Sequence, residues 1–226
     1  MKLSHINYYD LLSSKLKIPL DTVIIQAIPV TGGFEQIFSL PNINVYKLKP
    51  KNLLFCVEVN EPQVQSGIIR NVVQMGVKRL VLIGSGNIVD SSDNTEIVLV
   101  EDHINLSGTN PLIGINSDKT GIVFPDISNL YDISCLKALK SYLSSEVILN
   151  KGIALIPKNI NMLTEIEKKA KEVFPVIAYT KDIFPYAVLA RYTGLKKVIG
   201  TILARSLNNL EYTLYNLIKF FIKESD

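Results

Sequence analysis

The chain has 226 residues, with two cysteines and two histidines among them, and each scarcity closes off a kind of chemistry. Cys56 and Cys135 sit in apolar surroundings, so buried thiols in a reducing compartment are expected rather than a disulfide. His5 and His103 lie far apart, and no cysteine is placed to share a metal with either. No metal site is therefore expected, and His103 reads as structural. Long apolar runs are missing too. None approaches a membrane span, and the start "MKLSHINYYDLL" is broken by Asn7 and Asp10 where a signal peptide needs a continuous apolar stretch. A cytoplasmic protein with no membrane attachment is expected. An excess of one charge is also absent: 24 basic against 21 acidic residues leave a net charge of +3. The basic residues are scattered rather than gathered into a stripe, so no nucleic-acid partner is expected. There is no internal repeat and no low-complexity linker, which points to a single domain over residues 1–226.

What is present is apolar and ordered in short bursts, at 47% hydrophobic residues. The runs "TVIIQAI" (22–28), "NLLFCVEV" (52–59), "RLVLIG" (79–84), "EIVLV" (96–100), "GIALIP" (152–157) and "KVIGTILA" (197–204) are β-branched and bounded by Gly, Pro, Asn or charge, as buried strands are. Helical patterns lie between them. Residues 62–76 end at Met75-Gly76 in the manner of a glycine-terminated helix. Residues 164–174 open with Thr164 and Glu167 at the spacing of a capping box. Residues 206–223 place Leu207, Leu210, Leu214, Leu217 and Phe221 on one face of a terminal helix. Apolar strands alternating with amphipathic helices predict an α/β protein with a mainly parallel or mixed sheet covered on both faces.

Residues 101–131 have no clear period, and they begin "EDHINLSGTNPLIG". Asn105, Asn110 and Asn116 can each close a local turn, Gly108, Gly114 and Gly121 open conformations closed to other residues, and Pro111 and Pro125 fix the chain direction. Such a segment holds one irregular shape, and long irregular segments on a rigid sheet often carry sites or subunit contacts. The stretch "EDHINLSGTNPLIGINSDKTGIVFPDISNLYD" (101–132) closely resembles the segment of the trimeric purine nucleoside phosphorylases and methylthioadenosine phosphorylases that reads DHINL, then NPL-x-G-x-N, then FPD-x-S-x-x-YD. Downstream, "FPYAVLARYTGLKKVIGTILA" (184–204) is similar to that family's VPE-x-x-x-AR-x-x-GL-x-V-x-G segment. Upstream, "GVKRLVLIGSGN" (76–87) stands in the place of its LGV-x-x-L-x-x-TNAAG strand and loop. Together the likenesses cover about residues 65–205, and the first 60 residues match poorly.

The resemblance implies a nucleoside phosphorylase-like α/β fold, a twisted, partly closed mixed sheet surrounded by helices. It implies phosphorolysis of purine nucleosides to free purine and ribose 1-phosphate, with inorganic phosphate as co-substrate and no metal or organic cofactor. It also implies a homotrimer in which Phe124 reaches from one subunit towards the ribose pocket of the next. The contacts that carry the chemistry fit less well. Where the family has a phosphate-binding Ser after the first strand, this chain has Ala27 or Ile28, and Thr31-Gly32-Gly33 would be a displaced substitute. Glu58 and Glu61 take the place of the family's phosphate-binding cations, and Lys47, Lys49 or Lys51 could supply the missing charge only by facing residues 84–86. Gly84, Ser85 and Gly86 still offer backbone donors and a hydroxyl to an anion. Leu163 falls where the family has its purine-binding Glu. Lys181 and Asp182 replace a Met and a small hydroxyl residue, and Arg205 or Ser206 falls at the purine-binding Asn. Two readings follow. One is a phosphorylase working through Ser85, Lys181, Asp182 and Arg205 or Ser206. The other, favoured because the missing groups are the charged and reactive ones, is a non-catalytic relative that keeps the fold and acts as a purine- or nucleoside-binding or partner subunit.

Overall fold

The computed structural model describes residues 19–28, 33–58, 61–89, 95–115, 124–143, 147–207 and 209–223. Nine strands are described: β1 (Thr22–Gln26), β2 (Glu35–Leu40), β3 (Ile43–Lys49), β4 (Asn52–Val57), β5 (Arg79–Ile88), β6 (Ile97–Asn105), β7 (Leu149–Ile156), β8 (Val176–Tyr179) and β9 (Val198–Ala204). The helices among the described residues are α1 (Pro62–Gln74), α2 (Leu136–Tyr142), α3 (Glu165–Val173), α4 (Phe184–Tyr192) and α5 (Leu210–Lys223). The expected α/β class and partly closed mixed sheet are what the chain forms. The sheet runs β2-β3-β4-β1-β5-β8-β7-β6-β9, and β9 also pairs with β5. The last five strands thus close on themselves while the first four extend as an open sheet.

β5 is the pivot between the two parts. Over Arg79–Ile83 it lies parallel to β1, over Leu80–Gly86 it lies parallel to β9, and at Asn87 and Ile88 it pairs antiparallel with β8. Gly86 permits this change of neighbour. A Cβ there would lie 2.6 Å from the Tyr179 carbonyl oxygen and 2.7 Å from Ile202 Cγ2, closer than real atoms pack.

The core lies on both faces of the open sheet, as continuous apolar strands require. On one side Ile25, Leu53, Phe55, Val57 and Leu82 pack with Val64, Ile68 and Val72 of α1 and with Ala187 and Leu189 of α4. On the other, Ile24, Leu54, Cys56, Val81 and Ile83 pack with Leu139 of α2 and Leu214, Leu217 and Phe221 of α5. Cys56 and Cys135 are buried, and neither is in a disulfide. α1 starts with Pro62 in its first turn and ends at Gly76, whose φ of 70° only glycine adopts readily. Thr164 and Glu167 form the expected capping box reciprocally.

Three expectations need correction. The irregular segment begins later than its composition suggests, because Glu101–Asn105 continue β6, and after a register shift at Glu101 residues Asp102–Asn105 pair with β7. The terminal helix starts at Leu210 rather than 206, although Leu207 still packs against the same cluster. β2, β3, β8, α2 and α4 form where the sequence pattern predicts no element. β2 is a half-exposed strand of polar pattern, β8 has four residues, and α4 is buried almost all round, so none shows the expected period.

Candidate functional site

A cleft of ≈ 200 Å³ opens where β5 parts from β1. It lies at the carboxyl ends of the parallel strands β1, β4 and β5, where open α/β sheets place ligands. Gln26 and Ala27 line it from β1, Val57 and Glu58 from β4, Leu82 and Ile83 from β5, and Gln65 from α1. Lys181, Asp182, Ile183 and Tyr186, from the β8–α4 connection and α4, complete the wall.

The parting of the strands leaves backbone groups to be satisfied. Ala27 N–H donates to the Ile83 carbonyl at 3.4 Å, beside the last paired residues of β1 and β5. Two residues further, Ser85 presents its N–H and C=O beyond the end of β1. A buried strand edge cannot leave such groups unpaired. The Ser85 N–H donates to Asp182 Oδ2 at 2.9 Å, and the Ser85 hydroxyl donates to the same oxygen at 3.2 Å. The Ser85 carbonyl accepts from the Thr180 hydroxyl at 2.8 Å, and that hydroxyl accepts in turn from Asp182 N–H at 3.3 Å. Gly84 allows the approach, since a Cβ there would lie 2.9 Å from Asp182 Cβ. Of the donors expected to serve an external anion, the two of Ser85 are thus engaged by the chain's own carboxylate.

The remaining candidates divide. Lys181 reaches the cleft wall, but its Nζ donates to the Lys158 carbonyl. Glu58 stands at the rim as the expected negative charge, and Glu61 is the exposed N-cap of α1. Leu163 is away from the cleft wall, packed beside Leu155, Val176 and Tyr179 on the closed part of the sheet. Arg205 and Ser206 form an exposed turn after β9, and Arg205 N–H donates to the Gly86 carbonyl. Lys47 and Lys49 do not face residues 84–86. They line a separate cleft with Gly33, Phe34, Lys219 and Lys223, and β3 is separated from β5 by β4 and β1. Thr31 and Gly32 lie outside the described residues, as do His5, Asn116 and Gly121. Gln26, Gln65 and Tyr186 were not singled out from sequence. They sit in strand-end and helix positions that carry no motif, so only the folded chain shows their shared wall.

The irregular segment is held as its composition predicts. Asn105 Oδ1 accepts from Ser107 N–H at 3.1 Å while its Nδ2 donates to the Thr109 carbonyl at 2.8 Å. Asn110 Oδ1 accepts from Leu112 N–H at 2.9 Å. Arg191, in the downstream matching segment, donates through Nη2 to the carbonyls of Asn129 and Leu130 at 2.9 and 3.2 Å. Two of the segments that resemble the phosphorylases therefore brace each other. His103 is half-buried against Phe184 and Tyr131, with ring centroids 4.9 and 5.8 Å away. Burial lowers its pKa from 6.5, and the nearby Asp102 charge opposes this only in part, so the imidazole is neutral at pH 7. Tyr131, which burial keeps protonated, closes the same packing. Among the described residues no three His, Cys, Asp or Glu side chains are grouped to hold a metal ion. Phe124 is 85% exposed.

No family model matches the chain. It is 27% identical over 135 residues to purine nucleoside phosphorylase 1 of Geobacillus stearothermophilus, covering 58% of this chain and 48% of that protein. It is 29% identical over 129 residues to the purine nucleoside phosphorylase of Mus musculus, covering 54% and 45%. The chain spans about half the length of the curated relatives it matches. Among solved structures, the Schistosoma mansoni purine nucleoside phosphorylase in complex with BCX-34 superposes with a TM-score of 0.73 at 18% identity, over 98% of each chain. The Schistosoma enzyme in complex with guanosine gives 0.74 at 19% identity, over 95% of this chain and 94% of that one. Sheet order, braced loop and these likenesses agree: the chain has the fold of the purine nucleoside phosphorylases and is similar to them in sequence over about half their length.

Proposed function

We propose that this protein is a purine nucleoside phosphorylase relative in which phosphorolysis is weak or lost, retaining the fold as a purine- or nucleoside-binding or partner subunit. The observation that carries this reading is the character of the strand-end cleft. Glu58 and Asp182 line it, Asp182 engages the Ser85 donors, and Lys181 donates its ammonium to a backbone carbonyl. Phosphorolysis needs phosphate held by donors and cations, and it needs polarisation of the departing purine, where negative charge develops. Carboxylates repel the first, and Leu163 brings no polar group to the second. Each lost charged contact removes a few kcal/mol of transition-state stabilisation, so several together leave little rate. Inorganic phosphate is the co-substrate of any residual activity, with no cofactor.

The test is release of free purine from inosine, guanosine or methylthioadenosine at saturating phosphate, with the protein shown to be folded. Rates orders of magnitude below ordinary enzymes are expected. Turnover near ~1 per second would refute the reading. For assembly we favour a homotrimer, supported by the loop motif and by the exposure of Phe124 and Ile113, which stand 85% and 73% accessible. Light scattering at micromolar concentration should give the trimer mass, and a monomer would count against Phe124 as a neighbour-facing residue.

A further inference from the structure

We infer that Ser85, between Gly84 and Gly86, forms an oxyanion site which the chain fills with its own Asp182 carboxylate, so that this one side chain bars inorganic phosphate from the cleft. The inference extends the functional reading above and names what closes the site. A backbone N–H and a hydroxyl from the same residue converge on a single oxygen, Asp182 Oδ2, at 2.9 and 3.2 Å. That is the way a bound oxyanion is held, with charge-assisted bonds from fixed donors.

The donors are fixed by the fold rather than by Asp182. β9 pairs with Gly84, Ser85 and Gly86 on one side, and Thr180 holds the Ser85 carbonyl on the other. Removing the carboxylate would therefore leave the Ser85 N–H and hydroxyl in place, beside a cleft that Asp182 itself lines. Lys181 lines the same cleft, but its ammonium donates to the Lys158 carbonyl, so the Ser85 donors carry the site. Gly84 points the same way. It admits Asp182 Cβ at a distance no larger residue would allow, so the close approach of this carboxylate is built into the strand.

The experiment is calorimetric titration of inorganic phosphate into the wild-type chain and into Asp182→Ala, Asp182→Ser and Asp182→Asn, each checked for folding by circular dichroism and thermal unfolding. The Ala and Ser variants should bind phosphate roughly tenfold or more tightly than wild type, the scale of one charged hydrogen bond regained. The Asn variant should behave as wild type, because its amide oxygen can accept from both Ser85 donors. Equal phosphate affinity in wild type and in a folded Ala or Ser variant would overturn the inference. So would tight, saturable binding by the wild-type chain, a result that needs no variant to fold. Failure here is separable from failure of the functional reading, which rests on purine release by the wild-type chain and not on phosphate affinity.

Discussion

The loop-and-barrel side of this molecule and its strand-end cleft share one strand, β5, yet they have kept different things. On the barrel side, Asn105, Asn110 and Arg191 bind backbone groups, and His103, Tyr131 and Phe184 fill space. These contacts are needed by the fold whatever the protein does. In the cleft, Glu58, Lys181 and Asp182 line a cavity at the strand ends, and of the three side chains that of Asp182 alone is bonded to the sheet behind it, through Ser85. The difference teaches that a phosphorylase scaffold is specified mainly by backbone satisfaction and packing. Fold and function are separable in this way, since function lives in a few side chains placed on the scaffold.

The sharpest way to break this comparison is to substitute the two glycines of β5 that face the two sides. Gly86→Ala puts a Cβ against the Tyr179 carbonyl, a backbone atom of the ring closure that cannot swing aside. It should cost about 3 kcal/mol or more in chemical denaturation. Gly84→Ala meets Asp182 Cβ and Ile183 Cγ2, side-chain atoms of the β8–α4 connection. It should cost only about 1 kcal/mol while pushing Asp182 off Ser85. Equal costs would mean that the cleft is as much a part of the scaffold as the barrel.

A middle-sized effect is expected at the cap of α3, on the barrel side. Thr164→Ala removes the acceptor for Glu167 N–H at 3.3 Å and should cost about 1 kcal/mol. Glu167 adds a pH dependence. Burial pushes its pKa up, but bonds from the N–H groups of Thr164 and Lys158 outweigh this, so the net shift is below 4.5. Its contribution is complete above pH 4.5 and is lost as pH falls through the depressed folded-state value. Glu167→Gln should flatten unfolding midpoints in that acid range and leave the cleft's ligand behaviour untouched.

The smallest effect belongs to His103. Its pKa is lowered in the folded state, so below pH 6.5 the unfolded chain takes up a proton first and stability drains as pH falls towards the folded-state value. His103→Phe keeps an aromatic ring against Tyr131 and Phe184 and removes an Nδ1 that is buried without a hydrogen bond. Stability at pH 7.5 should change by less than about 1 kcal/mol. The loss as pH falls below 6.5 should shrink. An unchanged acid profile would show that His103 does not titrate with unfolding.

Six runs of β-branched residues marked six of the strands, because a strand buried on both faces has no room for polar alternation. Pro62 and Gly76 marked the ends of α1, and Thr164 with Glu167 the start of α3, because capping is local chemistry. The loop's Asn, Gly and Pro content announced a fixed irregular shape for the same reason, and its likeness to the phosphorylases carried the fold. Partial closure of the sheet came with that likeness, but the strands that close it were not legible, since closure depends on β5 leaving β1 for β8 and β9, a choice made by packing between distant segments. Nor was the state of the cleft. Ser85 and Asp182 are 97 residues apart, and each alone resembles an available polar group. Only the fold brings the carboxylate onto the donors, because the edge of β5 beyond β1 must be satisfied and Asp182 lies within reach.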